Sequence, residues 1–218
     1  MDGLPFLEYV QEYQSDFIFE TERHAILTLY VVVTAAILGT LIAMLTYRSS
    51  AGSQFGISAA AVGFTIPSLA LFGLLVPVLG FGLNTIFPAL VMYSLLPTIR
   101  NGVVGLRSVD PVMIDAARGM GMSRRHILLR IELPLAWPVI LAGIRVSTQL
   151  AVGLVAIAAF LSGPGLGTFI FHALTAIGSV NTFNEAVAAT ILVALLAIVF
   201  DFLLLIVRRL TTPRGLRA

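Results

Sequence analysis

Cysteine is absent from the 218-residue chain, and so is lysine: all 13 basic residues are arginine. Without cysteine there is no disulfide, no thiolate nucleophile and no sulfur-ligated metal, although this does not identify the compartment. Without lysine there is no phosphate-binding loop of the kind whose lysine reaches the β- and γ-phosphates. Charge of either sign is scarce as well. Charged residues make up 11% of the chain, against about 25% for soluble domains, and the mean hydropathy is +1.00. Such a chain belongs in lipid. No charged residue occurs from 49 to 99 or from 146 to 184, and each stretch exceeds the roughly 20 residues that one transmembrane helix needs. The formal charge of +2 and isoelectric point of about 9.4 do not indicate nucleic acid, because the arginines are spread over short segments rather than gathered on one face.

What is present is a series of apolar runs, and they predict an all-α integral membrane protein with five transmembrane helices. The first covers 25–47 and is closed by Arg48. The second covers 55–79 and carries Pro67 and Pro77, which a membrane helix tolerates when neighbours satisfy the freed backbone groups. Gly80, Gly82 and Asn84 turn the chain into a short third run, 85–100, with Pro88 and Pro97 near its ends. The fourth covers 135–161, with Trp137 where an interfacial aromatic would sit, and the fifth covers 186–207, closed by Arg208 and Arg209. Between the last two, the breakers from Ser162 to Gly167 predict a turn, and the mildly apolar 168–177 a short non-spanning helix.

Five spans put the termini on opposite sides. Eleven arginines (48, 100, 107, 118, 124, 125, 130, 208, 209, 214 and 217) fall on one of them, which the positive-inside rule makes cytoplasmic. Arg23 joins the acidic residues Asp2, Glu8, Glu12, Asp16, Glu20 and Glu22 outside, so the expected topology is N-out, C-in. A cleaved signal begins with positive charge, so the N-terminus is expected to be mature sequence. The expected organisation is an extracytoplasmic segment 1–24, one permease domain 25–208 containing a cytoplasmic loop 101–134, and a cytoplasmic tail 209–218.

The loop 101–134 departs from the apolar pattern, and its punctuation predicts two short helices. Asp110 can N-cap a helix beginning at Pro111, where the missing N–H costs nothing. Gly119 or Gly121 can end it in a left-handed conformation, Ser123 can cap the next helix, and Pro134 can stop that one where the fourth span begins. Such a unit serves either as a contact surface or as a solvated connector. Spacing favours the former. Asp115-Ala116-Ala117, three residues, Gly121, nine residues, Ile131, one residue and Leu133-Pro134 resemble the coupling loop of ABC importer permeases, with Asp115 where that family has Glu.

The resemblance implies the type I importer permease fold, with a cytoplasmic helical coupling loop between the third and fourth spans that docks into a groove of the ATP-binding subunit. Asp115, Ala116, Ala117, Arg118, Gly119 and Gly121 would form that face, and Ile131, Leu133 and Pro134 the loop's end. Softer likenesses in Ile66–Leu71, Leu96–Asn101, Gly143-Ile144-Arg145 and Gly165-Leu166-Gly167 point to the branch importing glycine betaine, choline, carnitine and proline betaine. The related methionine-importer branch is the alternative. The implied partners are two ABC ATPase subunits, a second permease subunit (in a homodimer or a paired heterodimer) and an external solute-binding protein expected as a separate chain. This chain would be no enzyme and hold no cofactor of its own, ATP and magnesium residing on the ATPase, in the inner membrane of a prokaryote.

Charges at membrane depth are functional candidates by default. At about 1.5 Å per residue, Arg145 lies roughly 12 Å beyond Trp137 and Asp201 roughly 10 Å above Arg208, so the two can pair at similar depth. The pair would either fix helix register or serve gating and passage. Glu185 stands at the outer mouth of the fifth helix, and Gln149 and Ser147 either line the pathway or pack against neighbouring helices. His24, His126 and His172 show no metal-ligand spacing. A Ser162–His172 protease dyad is the enzyme alternative, but no nucleophile-elbow motif accompanies it. A channel is the other alternative, and it leaves the loop's spacing without a use.

Overall fold

The computed structural model describes residues 3–212. Asp2, and Arg214 and Arg217 of the expected tail, lie outside the described residues. The described chain is all helical: α1 Phe6–Glu12, α2 Gln14–Thr46, α3 Ser50–Thr65, α4 Ser68–Leu79, α5 Leu83–Arg107, α6 Pro111–Gly119, α7 Arg124–Ile127, α8 Leu133–Ala158, α9 Gly167–Thr175 and α10 Thr182–Thr211. A π-helical turn, Leu128–Glu132, joins α7 to α8 without interruption. Four stretches are long and apolar enough to cross a membrane: Gln14–Thr46, Leu83–Arg107, Arg124–Leu161 and Thr182–Thr211.

The expected second span is not one rod but α3 and α4, bent by 97° at the break between them. Pro67 lacks an N–H and pushes the residue before it out of the helical region. Ile66 is accordingly extended, at φ −70° and ψ 128°. The Tyr93 hydroxyl on α5 donates to the Ile66 carbonyl exposed by the bend. Counted as one broken span, the pair brings the number of crossings to five.

Other helix ends also move. α2 starts at Gln14 rather than at 25 and has 33 residues, about 50 Å at 1.5 Å per residue, against a hydrocarbon core of about 30 Å. Its first turns therefore carry Asp16, Glu20, Glu22 and Arg23 beyond the apolar stretch; hydropathy marks membrane depth, whereas the helix ends where its backbone bonds end. α5 passes straight through the expected loop start at 101 and reaches Arg107. Pro97 does not stop it, and beside the proline the hydroxyls of Thr98 and Ser147 bond the Ser94 carbonyl. Pro134 does not stop a helix either. The π-helical turn just before it opens the backbone ladder where a proline ring would otherwise meet a carbonyl, and α8 carries on.

The core lies where α2, α5 and α8 meet, around Val31, Ala35, Ile86, Leu90, Ile99, Ala136, Ile140 and Ala151. Lipid offers no hydrophobic drive between helices, so close backbone approach through small residues takes its place. Gly143 shows this: a methyl group there would lie 2.6 Å from Asn101 Cβ and 2.7 Å from the Pro97 carbonyl oxygen. A second, smaller core forms at the acidic end from Tyr9, Phe17, Leu166, Ala188 and Ala189, attaching α1 to α10.

Candidate functional site

α6 is built as its sequence predicts. The Asp110 carboxylate accepts from the Val112 N–H at 2.9 Å, and Pro111 takes the first turn. Of the two candidate terminating glycines, Gly121 is the left-handed one, at φ +79°, while Gly119 ends the helix proper. The Gly121 N–H bonds the Arg118 carbonyl at 2.9 Å and the Met122 N–H bonds the Ala117 carbonyl at 3.1 Å, the paired bonds of a Schellman ending. Ser123 then caps α7 by accepting from the His126 N–H, and its hydroxyl also meets His126 Nδ1 at 3.1 Å.

The side chains of α6 divide by face. Ala117 points inward at 1% exposure, whereas Val112, Met113 and Met120 are exposed at 71%, 50% and 74%. Ala116 lies on the outer face, so only one of the two alanines is free to touch a partner. Asp115 pairs with Arg118 at 3.0 Å, both well exposed. Arg124, Arg125 and Arg130, all exposed, add positive charge in the segment that follows, with no ion pair among the described residues. The segment's far end turns inward: Ile131, Leu133 and Pro134 are half buried and Glu132 is buried. Glu132 was not among the sequence candidates, yet its carboxylate accepts from the Tyr47 hydroxyl at 2.5 Å and from Arg48 at 3.0 Å. An acidic residue between Ile131 and Leu133 in an otherwise apolar triplet was the available signal.

Within the helices, Arg145 and Asp201 form a two-pronged pair. Arg145 Nε donates to Oδ1 and Nη2 to Oδ2, and Gln149 Nε2 adds a bond of 3.3 Å to Oδ1. The three residues join α8 to α10, a helix that buries only Glu185, Ala188, Ala189 and Leu196. Ser147 is 1% exposed and bonds Ser94 and Thr98 of α5, so it packs rather than lines a pathway.

The acidic end is closed by polar bonds to the 162–167 turn. The Gly165 N–H donates to Glu20 at 2.7 Å, and His24, wholly buried, bonds the Val152 carbonyl at 3.0 Å. A methyl group on Gly167 would stand 1.9 Å from the Ala156 carbonyl oxygen, which explains glycine at that place. Glu185 is buried rather than solvated, and both its oxygens lie 2.9 Å from His172 Nδ1 on α9. His172 therefore serves Glu185, and no Ser162–His172 bond exists among the described residues. Burial, with the Glu185 carboxylate and Tyr13 adding to it, pushes the Tyr9 phenol in α1 up to about 12. No group of acidic, histidine or cysteine side chains among the described residues is arranged to hold a metal ion.

A bundle of this kind, with a bent second span and an amphipathic helix hung between the third and fourth, is the fold of importer permeases. It matches the MetNI methionine ABC transporter in an inward-facing crystal form with a TM-score of 0.78 over 90% of this chain and 96% of that one, at 17% identity. An amino acid ABC transporter crystallised with histidines matches with a TM-score of 0.71 over 94% and 98%, at 20% identity.

Residues 4–213 match the family of binding-protein-dependent transport system inner membrane components, and the chain belongs to it. Its relatives include the choline transport system permease protein OpuBB of Bacillus subtilis (strain 168), 33% identical over 97% of this chain and 95% of that one. The carnitine transport permease protein OpuCD of Listeria monocytogenes serotype 1/2a (strain 10403S) is 35% identical over 98% and 95%. The osmoprotectant import permease protein OsmW of Salmonella typhimurium (strain LT2) is 35% identical over 90% and 92%.

Proposed function

We propose that this chain is the membrane-spanning permease subunit of an ATP-driven importer for osmoprotectant quaternary amines: glycine betaine, choline, carnitine and proline betaine. The observation that carries the substrate class is likeness over nearly the whole chain to permeases named for choline, carnitine and osmoprotectants. ATP is hydrolysed, with its magnesium, on two partner ATPase subunits, and an external binding protein delivers the solute. A second permease, identical or similar, completes the pathway.

In this reading α6 is the coupling helix. Its exposed Val112, Met113 and Met120 enter the ATPase groove, Asp115, Ala116 and Arg118 contact its walls, and Gly121 sets the angle of exit. The end of the molecule bearing Arg48, Arg107 and α6 faces the cytoplasm. Its coherence supports that orientation, since Arg107 bonds the Tyr47 carbonyl at 2.7 Å and Trp137 bonds Thr211 at 2.7 Å, drawing the ends of α2, α5, α8 and α10 together.

The reading is tested by uptake of radiolabelled choline, glycine betaine, carnitine and methionine in cells without other carriers, supplied with the complete system. Accumulation of at least one amine is the expected result. Accumulation of methionine and of no amine would overturn the substrate class.

A further inference from the structure

Beside α6, the arginine-rich end holds a constellation that docking does not use. Glu132 is 3% exposed and closes the π-helical turn through which α7 passes into α8. Its carboxylate takes the Tyr47 hydroxyl and the Arg48 guanidinium. From the other side Arg107, the last residue of α5, donates to the Tyr47 carbonyl at 2.7 Å, the Ser49 carbonyl at 3.2 Å and the Ser53 hydroxyl at 2.7 Å. The turn 47–49 between α2 and α3 is thus held by both stalks from which α6 hangs, the end of α5 before it and the π-helical turn after it.

A displacement imposed on α6 has two covalent routes into the membrane, along α5 and along α8. Farther along, α3 also packs on α5, where Gly63 meets Met92 and Phe64 meets Tyr93, but at its first turn these side chains are what tie it to both stalks. α3 is lightly seated, burying Ser53, Ala60 and Gly63 alone, and it ends at the 97° bend. It is therefore a helix that can tilt when its first turn is pulled. A buried carboxylate costs stability unless fully paired, and a π-helical turn gives up regular backbone bonding, often at functional positions. Both occur at Glu132, where an apolar residue would pack without the first cost.

We propose that Glu132, Tyr47 and Arg107 are positioning residues that form a clamp carrying the movement of α6 sideways into α3, and so to the bend at Ile66–Pro67. This rests on the reading of α6 as the coupling helix. The clamp converts one docked helix into a concerted motion of three membrane helices, and its loss uncouples ATP hydrolysis from transport without detaching the ATPase.

The test is solute imported per ATP hydrolysed, measured with radiolabelled choline, glycine betaine, carnitine and proline betaine in proteoliposomes holding the complete complex. Wild type is compared with Tyr47→Phe, which removes one hydroxyl, and with Glu132→Gln. Both variants are expected to co-purify with the ATPase and keep hydrolysing ATP while the ratio falls by about fivefold or more, the lower range of a coupling effect. A merely structural role lowers the yield of complex and leaves the ratio alone. An unchanged ratio in assembled Tyr47→Phe complex overturns the clamp even if Glu132→Gln does not assemble. An importing wild type with an equally efficient Tyr47→Phe sinks the clamp alone; an inert, fully assembled wild type brings down the clamp and the functional reading together.

Discussion

The Asp115–Arg118 pair on α6 and the Glu132–Arg48 pair at its base join the same chemical groups at the same distance, 3.0 Å. The first pair's side chains are 70% and 63% exposed, whereas the side chain of Glu132 is 4% exposed against that of Arg48 at 45%. An exposed pair is worth about 0–1 kcal/mol because water and salt screen it. A buried carboxylate that loses its donors is left with the full cost of desolvation. The contrast separates an exposed face, the one proposed to meet the ATPase, from a joint that holds the molecule's own helices. Arg145–Asp201, at 41% and 23%, lies between them.

Breaking the joint has the largest expected effect. Glu132→Ala leaves the Tyr47 hydroxyl and Arg48 without their acceptor and is expected to cost about 2 kcal/mol, seen as a lower thermal midpoint of the detergent-purified permease. Asp201→Asn leaves Arg145 without its carboxylate at membrane depth and is expected to lower the same thermal midpoint by less, with the double replacement Arg145→Met, Asp201→Leu recovering much of it. If the double variant also transports like wild type, the pair fixes helix register and takes no part in passage. Asp110→Ala removes the cap of α6 and is expected to cost about 1 kcal/mol, felt as faster amide exchange at Val112 and the residues after it. Asp115→Ala is expected to change permease stability by less than about 0.5 kcal/mol and to act only on co-purification of the ATPase. A large loss of stability from Asp115→Ala would erase the distinction between surface and joint.

Features set by local backbone chemistry were legible in the sequence. Asp110-Pro111 and the glycines 119 and 121 announced the two ends of α6, because capping and left-handed φ are decided within a few residues, and the structure selects Gly121 as the left-handed one. Helical rise alone brought Arg145 level with Asp201, and the two are in contact. Features set by neighbours were not legible. Pro67 reads the same whether a helix bends gently or by 97°, and it is Tyr93, 27 residues on, that satisfies the freed Ile66 carbonyl. Glu132 was hidden because its donors lie 84 and 85 residues away. The partner of Glu185 was hidden for the same reason, His172 arriving on a helix whose packing no spacing predicts. Gly165 and Gly167 read as breakers, and only the packed structure shows them pressed against His24 and Ala156.

The central claim is that this permease imports quaternary amines under the drive of ATPase subunits docked on α6. It is tested most directly by ATP-dependent uptake of radiolabelled choline, glycine betaine and carnitine into proteoliposomes holding the complete complex, wild type beside Gly121→Asp. The left-handed φ of +79° at Gly121 strains any side chain there, and among the described residues nothing lies within 4 Å to clash with one. The account predicts uptake by wild type only when ATP is supplied, and its loss in Gly121→Asp with the permease still folded and inserted. Equal uptake with and without ATP, or full uptake in Gly121→Asp, would contradict it.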